Sequence, residues 1–228
     1  MTAQMAMQPV EDERSAKSFA FSPDLFLVGD PTSPRSETIR GMRTHLLAQH
    51  VNEGRRGLAV CAASGDAWTM TIAANLAVAF AQVGLSCLLV DADLRSPRLN
   101  QIITAPGAIV GLADCLSQNV AVEQAIYQDV LPNLSVIYSG GPRSDAQELL
   151  GSEEFGRLAK NWLRDYDITI INTPAANKYA DGRRISAIVG YSVVVARQNV
   201  SYVSDLRHLI DQLRGDGVKI VGTILSYE

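Results

Sequence analysis

Apolar residues change their spacing along the chain, and that change divides it into strands and helices. Leu58 to Ala62 and Leu85 to Asp91 are nearly unbroken apolar runs with no polar face. That is the pattern of parallel strands covered on both sides. Shorter runs at Leu134 to Tyr138, Ile168 to Asn172, Val193 to Ala196 and Val218 to Leu225 predict four more strands. Between them the spacing turns helical. Ser33-Pro34 opens a helix over 35–50, with Ile39, Met42, Leu46 and Leu47 forming a stripe. A second helix runs from Met70 to Gln82 and stops at Gly84, and a third spans Tyr202 to Leu213. Val110 to Leu116, Val122 to Gln128 and Glu148 to Leu163 carry helical spacing as well.

Alternating strands and helices predict an α/β fold, with a mostly parallel central sheet and helices on both faces. Residues 1–32 read as a flexible or loosely docked arm ahead of a single domain over 33–228. Phe19, Phe21, Leu25, Phe26 and Leu27 are too apolar for a plain linker, so part of the arm is expected to lie on the domain. In such a sheet the ligand crevice forms at the carboxyl ends of the strands. Four loops would meet there, those after Ala62, Val90, Ile171 and Ala196.

Composition narrows the picture without choosing a function. The chain is 47% hydrophobic and 19% charged with a net charge of −4, so bulk electrostatics give no reason to expect nucleic acid. No apolar run is long enough to cross a bilayer, and the first residues lack the layout of a signal peptide. A cytoplasmic location is expected, with any membrane association made through a partner. Cys61, Cys87 and Cys115 fit no metal motif and read as buried thiols. His45, His50 and His208 are placed on helical surfaces and given no catalytic role.

The loops carry the chemistry. DADLRSPRL, from Asp91 to Leu99, resembles the second aspartate-rich motif of the bacterial tyrosine kinases of capsule and exopolysaccharide assembly. These kinases belong to the deviant P-loop group that includes the partitioning and septum-positioning ATPases. Glu37, Arg40 and Arg43 match that family's Glu-x-x-Arg-x-x-Arg helix motif. Met70 to Gly84, LPNLSVIYSGG with ELLGSEEF, and ITIINTPA resemble three further stretches in the same order. The resemblance implies a P-loop NTPase-like fold and a role in polysaccharide synthesis and export. It also implies a partner in the cytosolic part of an inner-membrane chain-length regulator, with a homo-oligomer or an active paralogue as further partners. The Glu37, Arg40 and Arg43 helix would serve oligomerisation, against the plain reading of a solvated face.

The departures from the family pattern point away from its chemistry. A working P-loop needs a lysine at the β and γ phosphates and a hydroxyl on magnesium. Without a gap, Trp68 falls on the family's last glycine, Thr69 on the lysine, Met70 on the hydroxyl and Thr71 on the final position. With a one-residue insertion, Gly65-Asp66 meets the family's Gly-acid pair and Trp68 takes the lysine position. No lysine or arginine occurs between Gly57 and Asn75. Asn172 stands where the family's Walker B strand has a metal-side aspartate. Asp91, Asp93 and Asp181 persist, either as remnants holding backbone amides or as ligands of a metal or an unusual molecule. With Asp66 close by, the crevice is expected to be net negative, and Trp68 to plug it or to meet a partner.

The expected function is therefore a non-catalytic, kinase-like scaffold or regulatory subunit with no cofactor. One alternative is an active ATPase or tyrosine kinase using magnesium-ATP at an atypical site of Asp91, Asp93 and Asp181. The other is a relative of the positioning ATPases.

Overall fold

A computed structural model describes residues 18–65, 68–118 and 120–227. The chain opens with β1 (Ala20–Phe21), α1 (Phe26–Gly29) and α2 (Pro34–Gln49). It continues through β2 (Gly57–Ala62), α3 (Trp68–Ala81), β3 (Cys87–Asp91), α4 (Leu99–Ile102), β4 (Ile103–Thr104) and α5 (Leu112–Gln118). Next come β5 (Ile126–Leu131), β6 (Leu134–Ile137), α6 (Ala146–Gly151) and α7 (Glu153–Asp165). The last elements are β7 (Ile168–Asn172), α8 (Ala180–Val189), β8 (Tyr191–Arg197), α9 (Val203–Gly215) and β9 (Lys219–Ser226).

The strands form one seven-stranded sheet in the order β5-β6-β3-β7-β2-β8-β9. It is parallel except at β5, which runs antiparallel to β6. Its central strands are buried at every position, as their unbroken apolar runs require. One core gathers α1, α2, α3 and α4 against one face, with Leu76, Phe80, Leu89 and Ile170 fully enclosed. A second core holds α5 to α8 against the other face around Leu88, Val90, Phe155 and Trp162.

Helix α2 begins where its cap predicts: the Ser33 hydroxyl accepts the Ser36 amide at 3.3 Å, and Pro34 follows at the first helical position. Ile39 and Leu46 are buried, while Met42 and Leu47 pack at the margin of the core. Helix α3 gives way to Gly84 at φ 86°, a conformation that glycine adopts without cost.

Two elements differ from the sequence-based expectation. Val122 to Gln128 is a single tight turn leading into β5, because an edge strand with polar positions lacks the apolar run of its buried neighbours. The helix expected over Glu148 to Leu163 is two helices, broken at Ser152, whose hydroxyl caps α7 by accepting the Phe155 amide at 3.2 Å.

The segment before α2 is held closely. Ala20 and Phe21 pair with Thr104 and Ile103, and Leu25, Phe26 and Leu27 enter the main core. Asn75, fully buried in α3, locks this entry. Its Oδ1 accepts the Leu27 amide at 3.0 Å and its Nδ2 donates to the Asp24 carbonyl at 2.8 Å. The three cysteines are free and buried, and burial pushes the Cys61 thiol up to about 12. No helix among the described residues is long and apolar enough to cross a membrane.

Candidate functional site

The switch point of the sheet lies where β3, β7 and β2 run side by side, and their carboxyl ends place three loops around one crevice. A cavity of about 220 Å³ opens there, lined by Gly65 and Thr69 after β2, Asp93 and Arg98 after β3, and Asn172 and Lys178 at β7. Met70, Ser96, Ala175 and Tyr179 complete its wall. Thr71, one residue further into α3, is buried below this surface. Asp66 lies outside the described residues.

At the floor, Asp91 and Asn172 are register partners on adjacent parallel strands. The Asn172 Nδ2 donates to Asp91 Oδ1 at 3.1 Å. The loop after β3 then wraps the same carboxylate. Arg98 and Leu99 amides donate to Oδ2 at 3.0 Å each, and the Asp93 amide donates to Oδ1 at 3.2 Å. Complete burial raises the Asp91 pKa to about 6, opposed by these hydrogen bonds and assisted by the nearby Asp93 charge. Four donors leave this carboxylate little free acceptor capacity. Asp93 is engaged in the same way, its Oδ1 accepting the Arg95 and Ser96 amides at 3.1 and 2.9 Å.

Asp181 sits at the start of α8, at 2% exposure, and pairs with the Arg95 guanidinium at 2.8 Å. Arg95 also stacks over the Tyr179 ring, 4.2 Å from its centroid. The approach of α8 depends on Gly182, where a Cβ would meet the Pro174 carbonyl at 2.7 Å. Asp91, Asp93 and Asp181 are thus held by this chain's own amides and by Arg95.

Two expectations meet the structure here. The described part of the crevice wall adds Arg98 and Lys178 opposite Asp93, cations that the expectation of a net-negative crevice left out, while Asp66, on which that expectation drew, lies outside the described residues. Lys178 was missed because it comes from the loop after β7, outside the segment where a P-loop lysine belongs. Trp68 does not plug the crevice. As the first residue of α3 it faces another side from Thr69 and Met70, since each helical step turns about 100°. It lines a separate apolar pocket with Phe26, Ile39, Met42 and Leu225, and the Arg197 guanidinium lies 5.9 Å from its ring centre.

In α2, Glu37 and Arg40 form an ion pair one turn apart, and Arg43 donates to the Ala79 carbonyl of α3 at 3.4 Å. His50 is not on a surface. It is fully enclosed at the end of α2, with Nε2 2.8 Å from the Gly57 carbonyl oxygen, and burial lowers its pKa.

No family model matches the chain. Tyrosine-protein kinase YwqD of Bacillus subtilis is 30% identical over 197 residues, covering 86% of this chain and 83% of that protein. The chain belongs to the bacterial tyrosine-protein kinase family. Tyrosine-protein kinase wzc of Salmonella typhi is 26% identical over 223 residues, and the match spans 98% of this chain but 31% of that larger relative. Among solved structures, the chimerical protein CapA2B2 is similar at 29% identity and a TM-score of 0.81, over 90% of this chain and 89% of that one. The cell division ATPase MinD of Pyrococcus furiosus shares the P-loop fold, at 23% identity and a TM-score of 0.66 over 75% of this chain and 71% of that one.

Proposed function

We infer that this family member acts in exopolysaccharide or capsule assembly as a scaffold or regulatory subunit that does not transfer phosphoryl groups. The observation that carries this reading is the Asn172–Asp91 hydrogen bond. Magnesium on a nucleotide needs carboxylates or hydroxyls with lone pairs free to face the ion and its waters. Here the second carboxylate is replaced by an amide that donates to the first. The residues present do not fit that cofactor, and phosphoryl transfer depends almost entirely on positioning and charge stabilisation.

Function would then rest on assembly, with a chain-length regulator, an active paralogue or further copies of this chain as partners. A peripheral position at the inner membrane would follow from the first of these.

A second reading, an active kinase with an atypical nucleotide site, draws on the relatives named as tyrosine-protein kinases and on Lys178 and Arg98 in the crevice. Incubation with γ-labelled magnesium-ATP separates the two. We expect neither hydrolysis nor labelling above a protein-free control. Magnesium-dependent transfer that is lost in Asp93→Ala would overturn the non-catalytic reading.

A further inference from the structure

We propose that the open edge of β9 is a docking site, where an extended, acidic segment of a partner protein adds a strand in the groove between β9 and α2. This holds whether or not the crevice transfers phosphoryl groups, because the groove shares none of the crevice's lining residues.

Strand β9 ends the sheet and pairs with β8 alone among the described residues. The Ser226 carbonyl accepts the Gln198 amide at 2.8 Å, so Ser226 faces β8 and, by the two-residue alternation of a strand, Ile224 and Gly222 do too. The amides and carbonyls of Thr223 and Leu225 then face the open edge, and both residues are exposed. Proteins commonly guard such an edge with a lysine or a bulge. Here both guards sit at the start of the strand: Lys219, and the extra residue Val221 where the register slips from Ser192–Ile220 to Val193–Gly222. The run from Gly222 to Ser226 carries neither.

Helix α2 flanks this run. A cavity of about 250 Å³ lies between them, lined by Met42, His45 and Leu46 on the helix and by Val221, Gly222 and Ile224 on the strand. Gly222 keeps it open, since a Cβ there would meet nothing within 4 Å. A groove beside an unpaired edge strand is where extended peptides dock, main-chain bonds giving affinity and pockets for alternate side chains giving selectivity. The charge of the occupant follows from a second cavity of about 210 Å³, which continues from the first through His45, Leu46 and Val221 toward the start of β9. Arg55 and Lys219 line it, 5.2 and 5.8 Å from the centre of the Tyr191 ring. Arg55 pairs with Glu53 at 2.8 Å, whereas Lys219 makes no ion pair among the described residues. No carboxylate among the described residues lines either cavity. Asp216, in the turn before β9, is held by Arg183, and Glu228, past the far end of the strand, lies outside the described residues. With Glu53 counted, Arg55 and Lys219 leave this end of the groove with one positive charge in excess, so an acidic side chain is favoured there and a basic one repelled. Lys219 lies roughly 10 Å along the strand from Gly222, which sets the acidic residue about two to four positions from the apolar one that fills the space over Gly222.

Fluorescence anisotropy with the labelled peptide Ser-Glu-Thr-Val-Thr-Val-Ser and with its reverse, which together cover both strand directions, tests this on the full chain. We expect at least one to bind with a dissociation constant below about 1 mM. Replacing its glutamate by lysine, or Lys219→Ala in the protein, should each weaken binding about tenfold. Gly222→Val fills the groove with a residue that suits a strand, and should abolish binding without lowering stability. Thr223→Pro removes an outward amide while keeping the pairing with β8, and should weaken binding as well. Binding that is unchanged in Gly222→Val, or indifferent to the glutamate, overturns the proposal. Silence from both peptides at about 1 mM overturns it too. A peptide-free chain whose sedimentation shifts to smaller species in Gly222→Val would place a second copy on this edge, and that also overturns it.

Discussion

Replacing Asn172 with aspartate would put a second carboxylate within 3.1 Å of Asp91, in a pocket where Asp91 is fully buried and Asn172 only 3% exposed. Two unit charges about 4 Å apart repel by roughly 4 kcal/mol at an effective dielectric constant near 20. The pair can escape by taking up a proton, and Asp91 is already poised to do so with a pKa near about 6. At about pH 7.5 that protonation costs on the order of 2 kcal/mol, at about 1.4 kcal/mol per pH interval. The lost amide donor adds about 1 kcal/mol. Asn172→Asp should therefore lose between about 2 and 5 kcal/mol at about pH 7.5. The loss should shrink as pH falls through about 6, where one proton binds the pair at little cost. Urea denaturation followed by tryptophan fluorescence at several pH values measures this. Magnesium should restore part of the lost stability to Asn172→Asp and none to the parent protein, since only the variant sets a second carboxylate directly beside Asp91 on the floor, where the parent has an amide. A penalty below about 0.5 kcal/mol, or one that does not change with pH, would refute the claim that the amide holds this floor together without a metal.

Arg95→Ala removes the partner of Asp181, a carboxylate at 2% exposure, and should cost about 3 kcal/mol in the same denaturation assay. A loss under about 1 kcal/mol would mean the pair is effectively solvated. His50 contributes in the opposite pH sense to Asp91. Burial lowers its folded pKa below the ordinary 6.5, so its stability contribution is full above that value and drains away as pH falls through the lowered one. Asp91, with its pKa raised to about 6, adds stability as pH falls from there toward its ordinary 3.8. Because Asp91 is common to both proteins, the difference between parent and His50→Gln isolates the histidine, and that difference should narrow below about pH 6.5; a constant difference would refute this. Glu37→Ala, at a largely exposed side chain of α2, should leave the fold intact and shift the sedimentation profile toward smaller species if this helix joins subunits. Arg43→Ala is the less clean probe, since Arg43 also donates to the Ala79 carbonyl of α3. An unchanged profile in Glu37→Ala would remove the assembly role from this face.

The sequence by itself determined the sheet and its covering helices, because a strand buried on both faces has to be apolar throughout, and β2, β3 and β7 are. It also determined that no lysine lies between Gly57 and Asn75 and that an amide stands at Asn172, both matters of residue identity at a motif position. It mistook β5 for helix, because an edge strand is shaped by its pairing with β6 and leaves only a weak periodic trace. Tertiary structure alone decided what fills the site. Asp181 and Arg95 are 86 residues apart, and Lys178 reaches the crevice from a loop that meets the others only once β7 is inserted between β2 and β3. Trp68 was legible as a departure, but not the side of α3 it takes. Local spacing records how each element buries itself, whereas a site built from three loops is set by strand order, which no single stretch of chain contains.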